Sequence, residues 1–106
     1  MKKIRAGIIG ATGMVGQRFI TLIENHPYFD LTALIASPSS AGKTYGEAVK
    51  GRWMMKTPIS EKIANMVVLN AEDIESVKPH VDFVFCAVIN MYDSEATLIT
   101  SYSITP

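Results

Sequence analysis

The chain has 106 residues, room for one small domain and not two, and its 48% apolar content is enough to bury a core. Ten basic and ten acidic side chains cancel, so no positive field draws a nucleic acid backbone, and no apolar run is long enough to span a membrane. The lone cysteine, Cys86, excludes an intramolecular disulfide, and no His and Cys spacing typical of a metal site is present, which fits a reducing, cytoplasmic setting.

The amino-terminal stretch organises the rest. Lys2, Lys3 and Arg5 precede an apolar run, as in a signal peptide, but glycines interrupt it and no small-residue cleavage site follows before Gln17 and Arg18. We read Ile4, Ala6, Ile8 and Ile9 as a central parallel strand covered on both faces. Gly10, Gly13 and Gly16 follow at intervals of three and lead into an amphipathic run. The order strand, glycine turn, helix predicts a phosphate cradle: Gly10 takes a positive φ, Gly13 bares backbone to a phosphate, and Gly16 lets the helix close on the strand. Free amides at the helix start would point at the anion.

Over residues 14–26, Val15, Phe19, Leu22 and Ile23 recur at helical spacing and predict the buried face, with Pro27 ending the helix and His26 a dipole-favoured residue at its end. Residues 31–36 predict a second strand, completing a βαβ unit. In a dinucleotide fold an acid at the tip of that strand holds the ribose hydroxyls and repels a 2′-phosphate. Here the tip reads Ala36, Ser37, Pro38, Ser39, Ser40, with Gly42 and Lys43 beyond. This suits a 2′-phosphate and so NADP over NAD, although an exposed loop would be equally polar.

Residues 43–66 are poorly periodic and predict a loop with short helical pieces, in which Trp53, Met54 and Met55 either form an exposed patch or tuck under their own loop. A third strand is expected at 66–69, a turn and short helix at 70–77, and a fourth strand at 81–88 with Cys86 and Ala87 near its carboxyl end. Cys86 lies within an apolar strand and reads as a small hydrophobe; neither His26 nor His80 stands at that edge to act as its base. Over 89–106, Asp93 and Ser94 suggest helix caps ahead of Glu95, whereas Thr97, Ile99, Thr100 and Thr105 favour extended chain.

Three stretches carry a family resemblance: GATGMVGQRF at 10–19, LIASPSSAGKTYGEAVKGRW at 34–53 and VDFVFCAV at 81–88. Together they resemble the cofactor-binding domain of aspartate-semialdehyde dehydrogenase, in the branch shared by archaea, fungi and some bacteria. The resemblance implies NADPH-dependent reduction of β-aspartyl phosphate to aspartate semialdehyde, on the route to lysine, methionine, threonine and isoleucine. It implies that Gly10, Thr12, Gly13, Met14 and Val15 hold the pyrophosphate, that Ser37 and Ser40 meet the 2′-phosphate, and that Cys86 and Ala87 lie beside the adenosine side of the pocket. Ser39 stands where relatives often carry an arginine, which should weaken NADP preference.

The expected fold is α/β, a Rossmann-like parallel sheet with flanking helices, incomplete at its carboxyl end. Residues 1–106 form one NAD(P)-binding domain, family-like to about residue 90, with an atypical tail at 91–106. The family's nucleophile, base and subunit interface come later in sequence, so no catalytic residue is assigned and this chain alone is expected not to turn over substrate. The alternatives are a non-catalytic nucleotide- or partner-binding module and a piece of a related acyl-phosphate or acyl-CoA reductase. An unpaired fourth strand would drive self-association through its edge, unless the tail folds over it.

Overall fold

The computed structural model describes residues 3–87 with their side chains and the backbone of residues 100–103. In chain order the elements are β1 (Ile4–Ile9), α1 (Met14–Ile23), β2 (Phe29–Ala36), α2 (Tyr45–Ala48), α3 (Glu61–Ala64), β3 (Leu69–Asn70), α4 (Ile74–Val77), a 3₁₀ turn (Lys78–His80), β4 (Phe83–Cys86) and β5 (Thr100–Ser103). The sheet runs β3-β2-β1-β4-β5; its first four strands are parallel and β5 is antiparallel to β4. The order 3-2-1-4 is that of a doubly wound dinucleotide fold, as the sequence predicts.

Each face of the sheet has its own core, which is why its central strands read as nearly unbroken apolar runs. On one face Ile8, Leu31 and Leu34 pack with Ile20 and Ile23 of α1, Tyr45 of α2 and Ile63 of α3. On the other, Ala33, Ile35 and Val84 pack with Val77 and Val81. Leu31 and Leu34 share a face at an odd spacing because β2 carries an extra residue: Ala6 pairs with Leu31 but Gly7 pairs with Ala33. The extra residue, Thr32, turns its hydroxyl onto the His80 carbonyl at 2.6 Å. At the amino edge Arg5 ties β1 to β4, with its guanidinium 3.0 Å from Asp82 and donating to the Pro79 carbonyl at 2.9 Å.

Several boundaries differ from the sequence expectation. Helix α1 buries Gly16, Gln17, Ile20 and Ile23, while Leu22 is 62% exposed and Val15 and Phe19 flank the core. Contact between Gly16 and the preceding turn sets the helix's rotation, and Leu22 then falls about 120° away from Gly16 around the axis. The helix also ends earlier than residue 26, in a turn closed by the His26 amide on the Ile23 carbonyl. Of the third strand expected at 66–69, only Leu69 joins the sheet, followed by Asn70. Met66 and Val68 instead spend backbone hydrogen bonds on Gly42, Lys43 and Tyr45. The fourth strand starts at Phe83 and not at 81, because Val81 closes the 3₁₀ turn on Lys78; residue 88 of the expected span lies outside the described residues.

The caps expected at Asp93 and Ser94 and the extended residues Thr97, Ile99 and Thr105 lie outside the described residues. Thr100 falls in β5, whose pairing with β4 covers the edge that the sequence left open. Of the two coverings expected for that edge, the structure has the tail.

Candidate functional site

The carboxyl ends of β1 and β2 meet at the glycine turn. Gly10 has φ 82°, a left-handed conformation that a side chain disfavours, and its amide and that of Ala11 both donate to the Ile35 carbonyl, at 2.9 and 3.1 Å. Gly13 closes the turn by donating to the Gly10 carbonyl at 3.2 Å and then stands as the N-cap of α1, in extended conformation. It has no side chain to cap with. The amides of Met14, Val15 and Gly16, which like the first amides of any helix have no intrahelical partner, therefore have no side-chain cap either, and the first intrahelical bond runs from Gln17 to the Gly13 carbonyl at 2.9 Å. A Cβ on Gly13 would meet only Gly10 O, at 3.6 Å; one on Gly16 would overlap Gly10 O and sit 2.8 Å from Ala11 Cα. Gly16 thus has no room for a side chain where helix and turn meet, whereas Gly13 has.

Beside the turn lies a groove of about 320 Å³ lined by Ile9, Gly10, Thr12, Ala36, Ser37 and Ala71. Ser37 is exposed, with its hydroxyl 2.8 Å from that of Ser39. Ser40 is buried and does not line the groove; its amide donates to the Ser37 carbonyl at 3.0 Å and closes the serine turn. Met14 is exposed and Val15 half-buried at the start of α1. Cys86 and Ala87 stand on the β4 side of β1, across the glycine turn from the serines: Cys86 pairs with Ile9, and the buried Ala87 donates to the Ile9 carbonyl at 2.8 Å. His26 and His80 precede β2 and β4 at the opposite edge of the sheet from Cys86. A second, apolar groove of about 220 Å³, between Thr32, Met66, Val67 and His80, opens away from the turn.

Sequence reasoning missed two residues that hold this site. Gln17, 2% exposed, donates from Nε2 to the carbonyls of Thr12 and Arg52, both at 3.0 Å, and accepts the Met54 amide at 2.8 Å. Tyr45, fully buried, donates its hydroxyl to the Ala11 carbonyl at 2.7 Å. Trp53 tucks edge-on against Tyr45 and bonds the Thr57 carbonyl, while Met54 remains 64% exposed, so the apolar trio splits between the two expected arrangements.

Burial pushes the Tyr45 phenol well above its ordinary value of 10.0, an effect that the charge of Arg52 only partly offsets. The folded chain therefore keeps a proton that the unfolded chain releases above about pH 10, and stability should hold up to that pH and then fall by at most about 1.4 kcal/mol per pH unit from this group. Urea midpoints at about pH 8 and about pH 11 check this, since Tyr45→Phe should remove that part of the loss.

A parallel 3-2-1-4 sheet with a positive-φ glycine turn and an uncapped helix start at its carboxyl edge defines a Rossmann-like domain of the dinucleotide-binding class. Residues 5–98 match the family described as semialdehyde dehydrogenase, NAD binding domain. The chain belongs to that family.

Among its relatives is the aspartate-semialdehyde dehydrogenase of Methanothermobacter thermautotrophicus, 42% identical over 85 residues, which are 80% of this chain and 23% of the relative. That of Cryptococcus neoformans is 52% identical over 66 residues, 62% of this chain and 18% of the relative. The crystal structure of the Candida albicans enzyme with NADP superposes with a TM-score of 0.73 at 39% identity, covering 82% of this chain and 24% of that one. The chain thus spans about a fifth to a quarter of the length of these relatives.

Proposed function

We propose that this chain is the NADP-binding portion of an aspartate-semialdehyde dehydrogenase, an oxidoreductase that reduces β-aspartyl phosphate to aspartate semialdehyde with NADPH. The observation that carries the reading is the uncapped start of α1 behind the Gly10 turn: a cluster of unspent amides at the positive end of a helix, beside a groove that ends in paired serine hydroxyls. In this reading Gly10, Thr12, Gly13, Met14 and Val15 cradle the pyrophosphate through backbone. The adenosine 2′-phosphate falls to the serine turn, where Ser37 and Ser39 present exposed hydroxyls and Ser40 holds the turn closed. Cys86 and Ala87 wall the cofactor from the β4 side. The bound dinucleotide would supply the hydride. The chain's own part is to bind and orient it, which supplies the entropic share of the barrier reduction.

No catalytic role is proposed for Cys86, because both histidines stand at the far edge of the sheet, and these residues alone should bind cofactor without turnover. The pathway proposed is the one leading to lysine, methionine and threonine. The setting proposed is the cytoplasm, which a single free cysteine suits.

Calorimetric titration with NADPH and with NADH tests the reading. Tighter binding of NADPH is expected, and Ser39→Arg should strengthen NADPH by about tenfold, through a charge-assisted contact to the extra phosphate, with NADH unchanged. Binding of neither dinucleotide would overturn the proposal, and an equal gain for both would remove the serine turn from the 2′-phosphate.

A further inference from the structure

We propose that Tyr45 and Gln17 are positioning residues for the phosphate cradle: they fix the peptide planes of the glycine turn from inside, and so make the segment 45–54 a determinant of cofactor affinity. The inference rests on the cofactor reading above and adds to it two side chains that touch no ligand.

A peptide unit is planar and trans, so a carbonyl and the following amide point in opposite directions. The Tyr45 hydroxyl takes the Ala11 carbonyl from the core side. The Thr12 amide, on the other end of the same plane, is thereby turned away from the core; Thr12 lines the groove, and among the described residues its amide has no protein partner. Gln17 does the same one plane further on, holding the Thr12 carbonyl while the Gly13 amide closes the turn on Gly10. Gln17 lies only five residues from Thr12, but its other bonds, like that of Tyr45, are long-range. Tyr45 reaches back 34 residues, and Gln17 joins the turn to Arg52 and Met54, so two buried polar groups span from the turn to the segment following β2.

Tyr45 is spent on a buried carbonyl that would otherwise demand another donor, Gln17 on two that are part-buried, and no buried side-chain polar atom among the described residues lacks a partner. A glycine-rich turn has little stiffness of its own. Without these donors the Ala11–Thr12 and Thr12–Gly13 planes could rotate, and binding would first have to order them.

The test is NADPH affinity of the chain and of three variants, each with its unfolding midpoint. Tyr45→Phe keeps the ring against Trp53 and removes only the donor; it should weaken NADPH binding about tenfold while remaining folded. Gln17→Met should weaken it at least as much; should that variant not fold, Tyr45→Phe decides alone. Val84→Ala hollows the core on the opposite face of the sheet and should lower the midpoint while leaving affinity within about twofold, as a distant site does. A purely structural role for Tyr45 would give the Val84→Ala pattern, a lower midpoint with unchanged affinity, and would overturn the positioning role while leaving the cofactor reading intact. Failure of the unaltered chain to bind either dinucleotide would overturn both.

Discussion

Gly16→Ala is expected to cost at least about 3 kcal/mol of stability, enough to leave a domain of this size largely unfolded at modest urea concentrations. The added methyl has nowhere to go. It would overlap the Gly10 carbonyl oxygen and press on Ala11 Cα at 2.8 Å, and both neighbours are backbone held by their own hydrogen bonds to Ile35. Relief requires lifting the start of α1 off the turn, which withdraws Ile20 and Ile23 from the core they share with Ile8 and Leu34. Alanine favours helix over glycine by about 1 kcal/mol, so a helix that merely tolerated glycine there would gain stability from the change. The urea midpoint therefore decides by its sign: a decrease is predicted, and an increase would mean that the close approach of helix and turn does not constrain this position.

Gly13→Val is expected to leave the fold in place and reduce NADPH affinity at least about 100-fold, or about 2.7 kcal/mol. The position is extended, a conformation valine accepts, and a Cβ there meets only one oxygen at ordinary contact distance. The loss of glycine from the N-cap should cost about 1 kcal/mol of stability and no more. What the side chain would fill is the space in front of the Met14 and Val15 amides, where a phosphate would have to come within hydrogen-bond distance of backbone. Unchanged affinity in a folded Gly13→Val chain would remove the cradle from this turn. The two glycines, three residues apart, should thus fail in opposite ways, one in folding and one in binding.

Much of this was legible because glycine and the apolar runs act locally. Gly10, Gly13 and Gly16 announce a turn whose geometry few other residues permit, and the runs at 4–9 and 31–36 identify buried parallel strands without reference to their neighbours. The parts that were not legible depend on long-range contacts. Nothing near Tyr45 in sequence signals that its hydroxyl meets Ala11, and Gln17, a polar residue in an amphipathic helix, reads as solvent-facing until Arg52 and Met54 are brought against it. Its place next to Gly16, on the side of the helix that closes on the turn, was the available cue. The rotation of α1 differs from the expected one for a related reason: Leu22 is apolar but contact at Gly16, a residue with no hydrophobic signal, decides which face turns inward. Residues 66–68 carry the β-branched signature of a strand but make only an isolated antiparallel bridge, with 42–45 rather than with the sheet. Strand propensity does not choose the partner.

The claim on which the account turns is that the backbone of the glycine turn receives the phosphates. The measurement that tests it most directly is an amide-resolved NMR titration of the chain with NADPH, repeated with inorganic pyrophosphate. If the turn receives the phosphates, the amides of Thr12, Gly13, Met14 and Val15 shift first and furthest in both titrations, with Ser37 and Ser39 responding to NADPH alone. Shifts centred on the apolar groove between Thr32 and His80, with the turn amides unmoved, would contradict it.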